Sequence, residues 1–315
     1  MVIDKGKSPQ RSRLAVAGAR AATESIYSTG SITDRVGNVL FRSLLLLGMG
    51  FALLGLASIL IWALVEGAPR LDLNLIVEGP STITPETAGY RGAILGSLYV
   101  IGGVVLFIVP VGVGAAIYLE EYADKTRWWN RAIEVNIQNL AAVPSIVFGI
   151  LGLAFIVRGP LSLGFVAAAG SLTLSLLVLP TIILSAREAI KAVPSSTRLG
   201  SLGLGATQWQ TIWHHVLPGA LPGILTGLIL AVSRAIGEAA PLLLVGAVTF
   251  VTFDPSFWEG NYSVLPVQIF NYAGRPQEEF RVLAAAGVIL MLAVLLSMNS
   301  FAIWLRNHYE NKNRK

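Results

Sequence analysis

The sequence contains no cysteine, which excludes disulfides, thiol nucleophiles and cysteine-ligated metals. Charge is scarce as well. Only 13% of the 315 residues are Asp, Glu, Lys or Arg, and 54% are hydrophobic, whereas a soluble domain carries about 25% charged residues. The deficit is patterned, with charges missing from long blocks and crowded between them. A bilayer imposes this pattern, because a charge at its centre is costly. No Gly-x-x-x-x-Gly-Lys-Ser/Thr phosphate loop is present, so the chain is not expected to hydrolyse ATP itself. His214 and His215 are adjacent and point to different faces of a helix, which makes them a poor metal pair. No catalytic dyad lies within the apolar blocks. The expectation is a non-enzymatic chain without metal or cofactor.

Five blocks carry no charged residue: 43–65, 92–119, 135–157, 159–186 and 282–305. Each exceeds the ~20 residues that a helix needs to cross ~30 Å of hydrocarbon. A sixth apolar stretch, 219–249, is interrupted by Arg234 and Glu238. The fold class read from this is an all-α membrane protein with six transmembrane helices. The spans are about 43–65, 92–119, 135–157, 160–186, 219–249 and 282–305. They form one domain over 43–305, between a basic segment 1–42 and a tail 306–315. Residues 14–27 could form an amphipathic surface helix. The first apolar block is too long for a signal-peptide core, so span 1 is expected to be retained.

Lys and Arg alternate in density from one loop to the next. Summed by side, 17 fall with the termini and 5 opposite, with Arg234 inside the membrane. The positive-inside rule therefore places both termini in the cytoplasm. This bias accounts for the net charge of +5 with lipid as the surrounding partner and no need for nucleic acid. Of the two longer external loops, 251–281 is rich in aromatics: Phe253, Phe257, Trp258, Tyr262, Phe270, Tyr272 and Phe280. These read as an interfacial aromatic belt or as a docking surface. Gly102, Gly103, Gly112 and Gly114 in span 2 would allow close helix approach. Glu120 and Glu121 end that span and are expected to face water.

The cytoplasmic segment 187–218 has the pattern of two short helices. Ser195 and Ser196 offer an N-cap, Gly205 a break, and Thr207 a second cap. Trp209, Ile212, Trp213 and Val216 fall at i, i+3, i+4 and i+7 and make one apolar stripe. Pro218 is expected to end the unit and open the next span. The unit reads as an interfacial loop or as a docking element for a cytoplasmic protein.

The run Arg198-Leu-Gly-Ser-Leu-Gly-Leu-Gly-Ala-Thr-Gln-Trp-Gln-Thr-Ile-Trp-His-His-Val-Leu-Pro218 resembles the EAA loop of ABC-importer permeases. Gly205, Leu217 and Pro218 hold their places. Leu199-Gly200-Ser201 replaces Glu-Ala-Ala, and His215 replaces the usual Ile. Four further runs are similar to the phosphate-importer permeases: Ala115-Ala-Ile-Tyr-Leu-Glu-Glu-Tyr122, Asn139-Leu-Ala-Ala-Val-Pro-Ser-Ile-Val-Phe-Gly149, Arg234-Ala-Ile-Gly-Glu-Ala-Ala-Pro241 and Leu265-Pro-Val-Gln-Ile-Phe270. Gln277-Glu-Glu-Phe280 with Ala284-Ala-Ala-Gly287 favours one of the two paralogous permeases of such systems over the other. The resemblance implies a six-helix, type I (MetI-like) importer permease with cytoplasmic coupling helices. It implies Arg198, Gly205, Ala206, Leu217 and Pro218 as the contact with a cytoplasmic ATPase dimer. It also implies a paralogous permease partner, an external phosphate-binding protein and a prokaryotic plasma membrane. Importers of molybdate or sulfate and ion-coupled secondary transporters are the competing readings.

Arg234 and Glu238 are spaced i, i+4 and share a helical face. They are either a self-neutralising structural pair or part of a substrate path. In the second reading the guanidinium fork matches phosphate oxygens. Glu238 then competes for Arg234 and keeps anion binding transient.

Overall fold

A computed structural model describes residues 32–247, 251 and 253–313. The amphipathic stretch 14–27, most of the basic segment 1–42 and the last two residues lie outside them. The described residues are helical. In chain order they form α1 (Ile32–Gly67), α2 (Arg91–Ile117), α3 (Trp128–Leu140), α4 (Ser145–Leu151), α5 (Ala167–Lys191), α6 (Ser195–Gly203), α7 (Gln208–Thr211), α8 (Leu217–Gly237), α9 (Ala240–Leu244), α10 (Leu265–Ala273) and α11 (Glu278–Asn313). Five helical rods are long and apolar enough to cross a membrane, or six if the bent α3–α4 pair is one span.

Two of the six expected spans are not single helices. The stretch 135–157 bends by 109° between α3 and α4. Pro144 lies at the bend with extended backbone (φ −56°, ψ 136°), since a proline lacks the N–H that helix continuation needs. The stretch 219–249 breaks after Gly237. Glu238 is extended (φ −83°, ψ 111°), and α9 restarts at Ala240. In a continuous helix the ring of Pro241 would clash with the carbonyl of residue 237, so the break is local chemistry. The helix beginning at Gln208, by contrast, passes straight through Pro218. A π turn over Ile212–Val216 leads into Leu217, with Pro218 in the first turn of α8. Pro218 therefore does not end the unit: the π turn before it loosens the helix where its ring meets the preceding carbonyls.

The chain divides into two units, 1–61 and 62–315. The first holds α1 as far as Ile61; its residues 43–61 carry no charge, and Leu44, Leu47, Phe51 and Leu54 are exposed. A helix of this kind is made for a lipid surround. In the second unit α2 packs along α5, and α8 packs on α5 and α11. Val104, Ile108, Leu174, Val178, Ile182, Ala231 and Ala235 form the centre of the core. Leu75, Tyr90, Tyr272, Phe280 and Leu283 close one end. Ile190, Val193, Val216 and Ile224 close the other.

Of the six glycines of α2, the four singled out in the sequence divide by what faces them. A Cβ on Gly112 would lie 2.5 Å from the Ile182 side chain, and one on Gly103 equally close to Ser171. Gly102 and Gly114 face open space. Gly112→Ala is therefore expected to lower stability by about 1–3 kcal/mol. Gly102→Ala should be neutral or gain up to about 1 kcal/mol of helix propensity. Melting temperatures of the two variants in detergent should move in opposite directions, and parallel shifts would contradict this packing.

The aromatic loop is not a uniform belt. Phe253, Trp258 and Phe270 are exposed, but Tyr262, Tyr272 and Phe280 are buried. Residues 262–265 fold back into the helices. The Leu265 N–H donates to Ser97 Oγ (2.9 Å), the Ala168 N–H donates to the Phe257 carbonyl (3.0 Å), and Tyr262 packs against Gly170. Irregular backbone at such depth is tolerated where protein surrounds it.

Candidate functional site

Arg234 occupies the last turn of α8, and Glu238 is the residue at which that helix breaks. A cation is favoured there by the negative end of the helix dipole. Gly223 lies against Ala189 and Gly227 against Ser185. Continuing this antiparallel pairing at equal rise puts Arg234 level with about residue 178, half-way along α5. The pair therefore sits at mid-depth although α8 ends beside it. The contact is loose: Arg234 Nε is 3.6 Å from Glu238 Oε1. The Arg234 side chain is 44% exposed and that of Glu238 21%. This is the only ion pair of Arg234 among the described residues. The exposed face of α8 near the break carries Leu230, Arg234 and Gly237. Chemically, the site is a permanent cation with part of its fork uncommitted, beside one competing carboxylate.

The five residues assigned to ATPase coupling separate in the structure. Arg198 turns inward. Its Nε and Nη2 donate to Glu121 Oε1 (3.0 and 2.7 Å). Its Nη1 donates to the Val193 carbonyl (2.6 Å) and its Nη2 to the Ile190 carbonyl (2.8 Å). Gly205 takes φ +89°, a conformation open to glycine. Ala206 N donates to the Ser201 carbonyl (3.2 Å). Leu217 and Pro218 are half-buried at the entry of α8. Thr207 and Gln210 form a reciprocal capping box at the start of α7. Ser195 and Ser196 do not cap α6, which starts at Ser195 after Pro194.

The apolar stripe also divides. Ile212 and Val216 are buried, whereas Trp209 and Trp213 are exposed and stacked, with centroids 5.7 Å apart. Leu199, Leu202 and Leu204 join the exposed set, with Leu204 91% exposed. The sequence carries a signal for these leucines, apolar residues in and just after the short polar helix α6, which the i, i+3, i+4 stripe of Trp209–Val216 does not include.

Glu120 and Glu121 do not face water. Their side chains are only 9% and 10% exposed. Glu120 pairs with Lys125 (2.9 Å) and Arg187 (3.5 Å). Arg187 also pairs with Glu134 (2.9 Å). Gln208 Nε2 donates to the Glu121 carbonyl (2.6 Å), and Ser201 and Thr211 share a buried hydroxyl bond of 2.9 Å. These bonds tie α6 and α7 to the ends of α2 and α5. Arg187–Glu134, Arg198–Glu121 and Gln208–Glu121 join residues 53, 77 and 87 apart in the chain, beyond any local spacing rule.

Residues 108–315 match the family of binding-protein-dependent transport system inner membrane components. The chain belongs to that family. The permease is 33% identical to the phosphate transport system permease protein PstA of Haemophilus influenzae, covering 82% of this chain and 91% of that protein. It is 35% identical to the PstA of Yersinia pestis over 83% of this chain and 88% of that one. It is 30% identical to the probable ABC transporter permease protein YqgI of Bacillus subtilis, over 87% and 95%. Among solved structures, a bacterial alginate ABC transporter superposes with TM-score 0.62 at 15% identity, covering 86% of the permease and 94% of that chain. The MetNI methionine transporter gives 0.55 at 17% identity, over 70% and 94%. These two show the fold, a MetI-like helical bundle.

Proposed function

We propose that the permease imports inorganic phosphate as the PstA-type half of a heterodimer with a PstC-like paralogue. A PstB-like ATPase dimer in the cytoplasm drives it, and a PstS-like phosphate-binding protein delivers the anion from outside. The chain is then non-catalytic and lies in a prokaryotic plasma membrane with both termini cytoplasmic. The observation that carries this reading is the Arg234 fork at a mid-depth helix break, loosely held by Glu238. Phosphate oxygens accept from such a fork in the geometry it presents. Glu238 then recaptures Arg234 as the anion leaves. The names of the relatives point to the same substrate.

The exposed patch of Leu199, Leu202, Leu204, Trp209 and Trp213 serves as the ATPase docking surface, with Gly205 and Ala206 shaping its turn. Arg198, Leu217 and Pro218 act behind it, passing its movement to α2, α5 and α8. Phosphate uptake into cells or vesicles carrying the assembled importer is expected to stop when vanadate blocks the ATPase. Uptake that persisted in vanadate would overturn the reading in favour of an ion-coupled transporter. Equal competition by molybdate or sulfate would move the substrate to another oxyanion.

A further inference from the structure

A polar cavity lies near the end of α2, apart from Arg234. It measures about 250 Å³ and opens between the end of α2, the loop after it, α3 and α5. Lys125, Asn130, Arg131, Glu134 and Arg187 line it. Two carboxylates serve its three cations. Lys125 and Arg187 share Glu120, and Arg187 also holds Glu134. Arg131 is exposed and forms no ion pair among the described residues, so one positive charge is left over.

Two buried polar atoms in the same wall have no hydrogen-bond partner: Arg187 Nε and Asn130 Oδ1. Asn130 is only 6% exposed, and its Nδ2 already donates to the Asp124 carbonyl (3.0 Å). A buried N–H donor and a buried acceptor are both costly to leave unmet. One ligand can meet both if it is an anion that also carries a hydroxyl. Its charged oxygens would accept from Arg187 Nε and Arg131, and its hydroxyl would donate to Asn130 Oδ1. Phosphate chemistry has both features in one group. Trp128 and Trp129, exposed at the start of α3 beside Arg131, are residues suited to the level of lipid headgroups.

We propose that this cavity binds a phosphate group with a neighbouring hydroxyl, from either a phosphatidylglycerol headgroup or free inorganic phosphate. The free-phosphate source rests on the proposed function, whereas the lipid source is independent of it. The test uses the intact importer, purified with its ATPase and stripped of lipid in detergent. Native mass spectrometry compares retention of phosphatidylglycerol with that of phosphatidylcholine. Equilibrium dialysis with labelled inorganic phosphate, in an Arg234→Ala background that removes the path, measures the free anion.

Each assay is run on the protein with Arg131 intact, on Arg131→Gln and on Arg131→Lys, with ATPase co-elution as the check on assembly. One of the two ligands should bind, about tenfold more weakly in Arg131→Gln and with most affinity kept in Arg131→Lys. Retention of phosphatidylglycerol alone identifies the headgroup as the source, and binding of phosphate alone identifies the free anion. Binding of neither, or affinity unchanged by Arg131→Gln in both assays, overturns the site. Phosphate uptake by the same variants in cells reports separately on the proposed function.

Discussion

Arg234→Ala is expected to abolish phosphate uptake while the ATPase still co-purifies. Arg234 is partly exposed and makes one loose contact, so the bundle does not depend on it for packing. The anion path does. Two charge-assisted hydrogen bonds are worth about 1.5–3 kcal/mol each, which places the loss at a hundredfold or more. Arg234→Lys keeps the charge but not the planar fork, and its uptake should fall well below that of the unaltered chain. Glu238→Gln tests the other half of the idea. Without its competitor, Arg234 holds the anion longer, so the apparent KM should fall together with the maximal rate. Unchanged uptake in Arg234→Ala with intact assembly would reduce the pair to a structural role and place the path elsewhere.

Arg198→Ala should sever the coupling unit from the membrane helices. It removes four donated bonds at once and leaves Glu121, only 10% exposed, without its cation. Breaking a buried pair from one side costs about 3–5 kcal/mol, because the remaining charge stays buried. The melting temperature should drop. In any importer that still assembles, ATP hydrolysis should continue with little uptake. Arg198→Lys keeps one charge contact but cannot span Glu121 and both carbonyls, so it should be intermediate. Tight coupling retained in Arg198→Ala would show that the docking surface transmits movement by another route.

Much of this architecture was legible because a bilayer makes demands that composition reports directly. Charge-free blocks longer than the hydrocarbon thickness marked where helices cross. Gly205 and Thr207 carry their roles in their own chemistry, one by its freedom at positive φ and the other by a side chain that caps. Proline was the ambiguous signal. Pro144 and Pro241 each accompany a break, while Pro218 sits inside a continuous helix. Pro110, Pro180 and Pro222 also lie inside helices, so a missing N–H does not by itself end a run where neighbouring helices surround it.

The ionic residues mark the limit of sequence reading. Glu120 and Glu121 stand at the end of a span, where solvent is the default, and the arginines that hold them, Arg187 and Arg198, are far away along the chain. The inward turn of Arg198, the buried Tyr262 and the cavity at Arg131 are likewise long-range. By itself the sequence determined an all-helical membrane chain, most of its long helices, the two short helices around Gly205 and the shared face of Arg234 and Glu238, because hydropathy, turn chemistry and i, i+4 spacing act locally. Only the tertiary structure decided where α8 breaks in depth, which glycines are in contact, and which charges are tied together. Those outcomes depend on what residues distant in sequence bring to the same place.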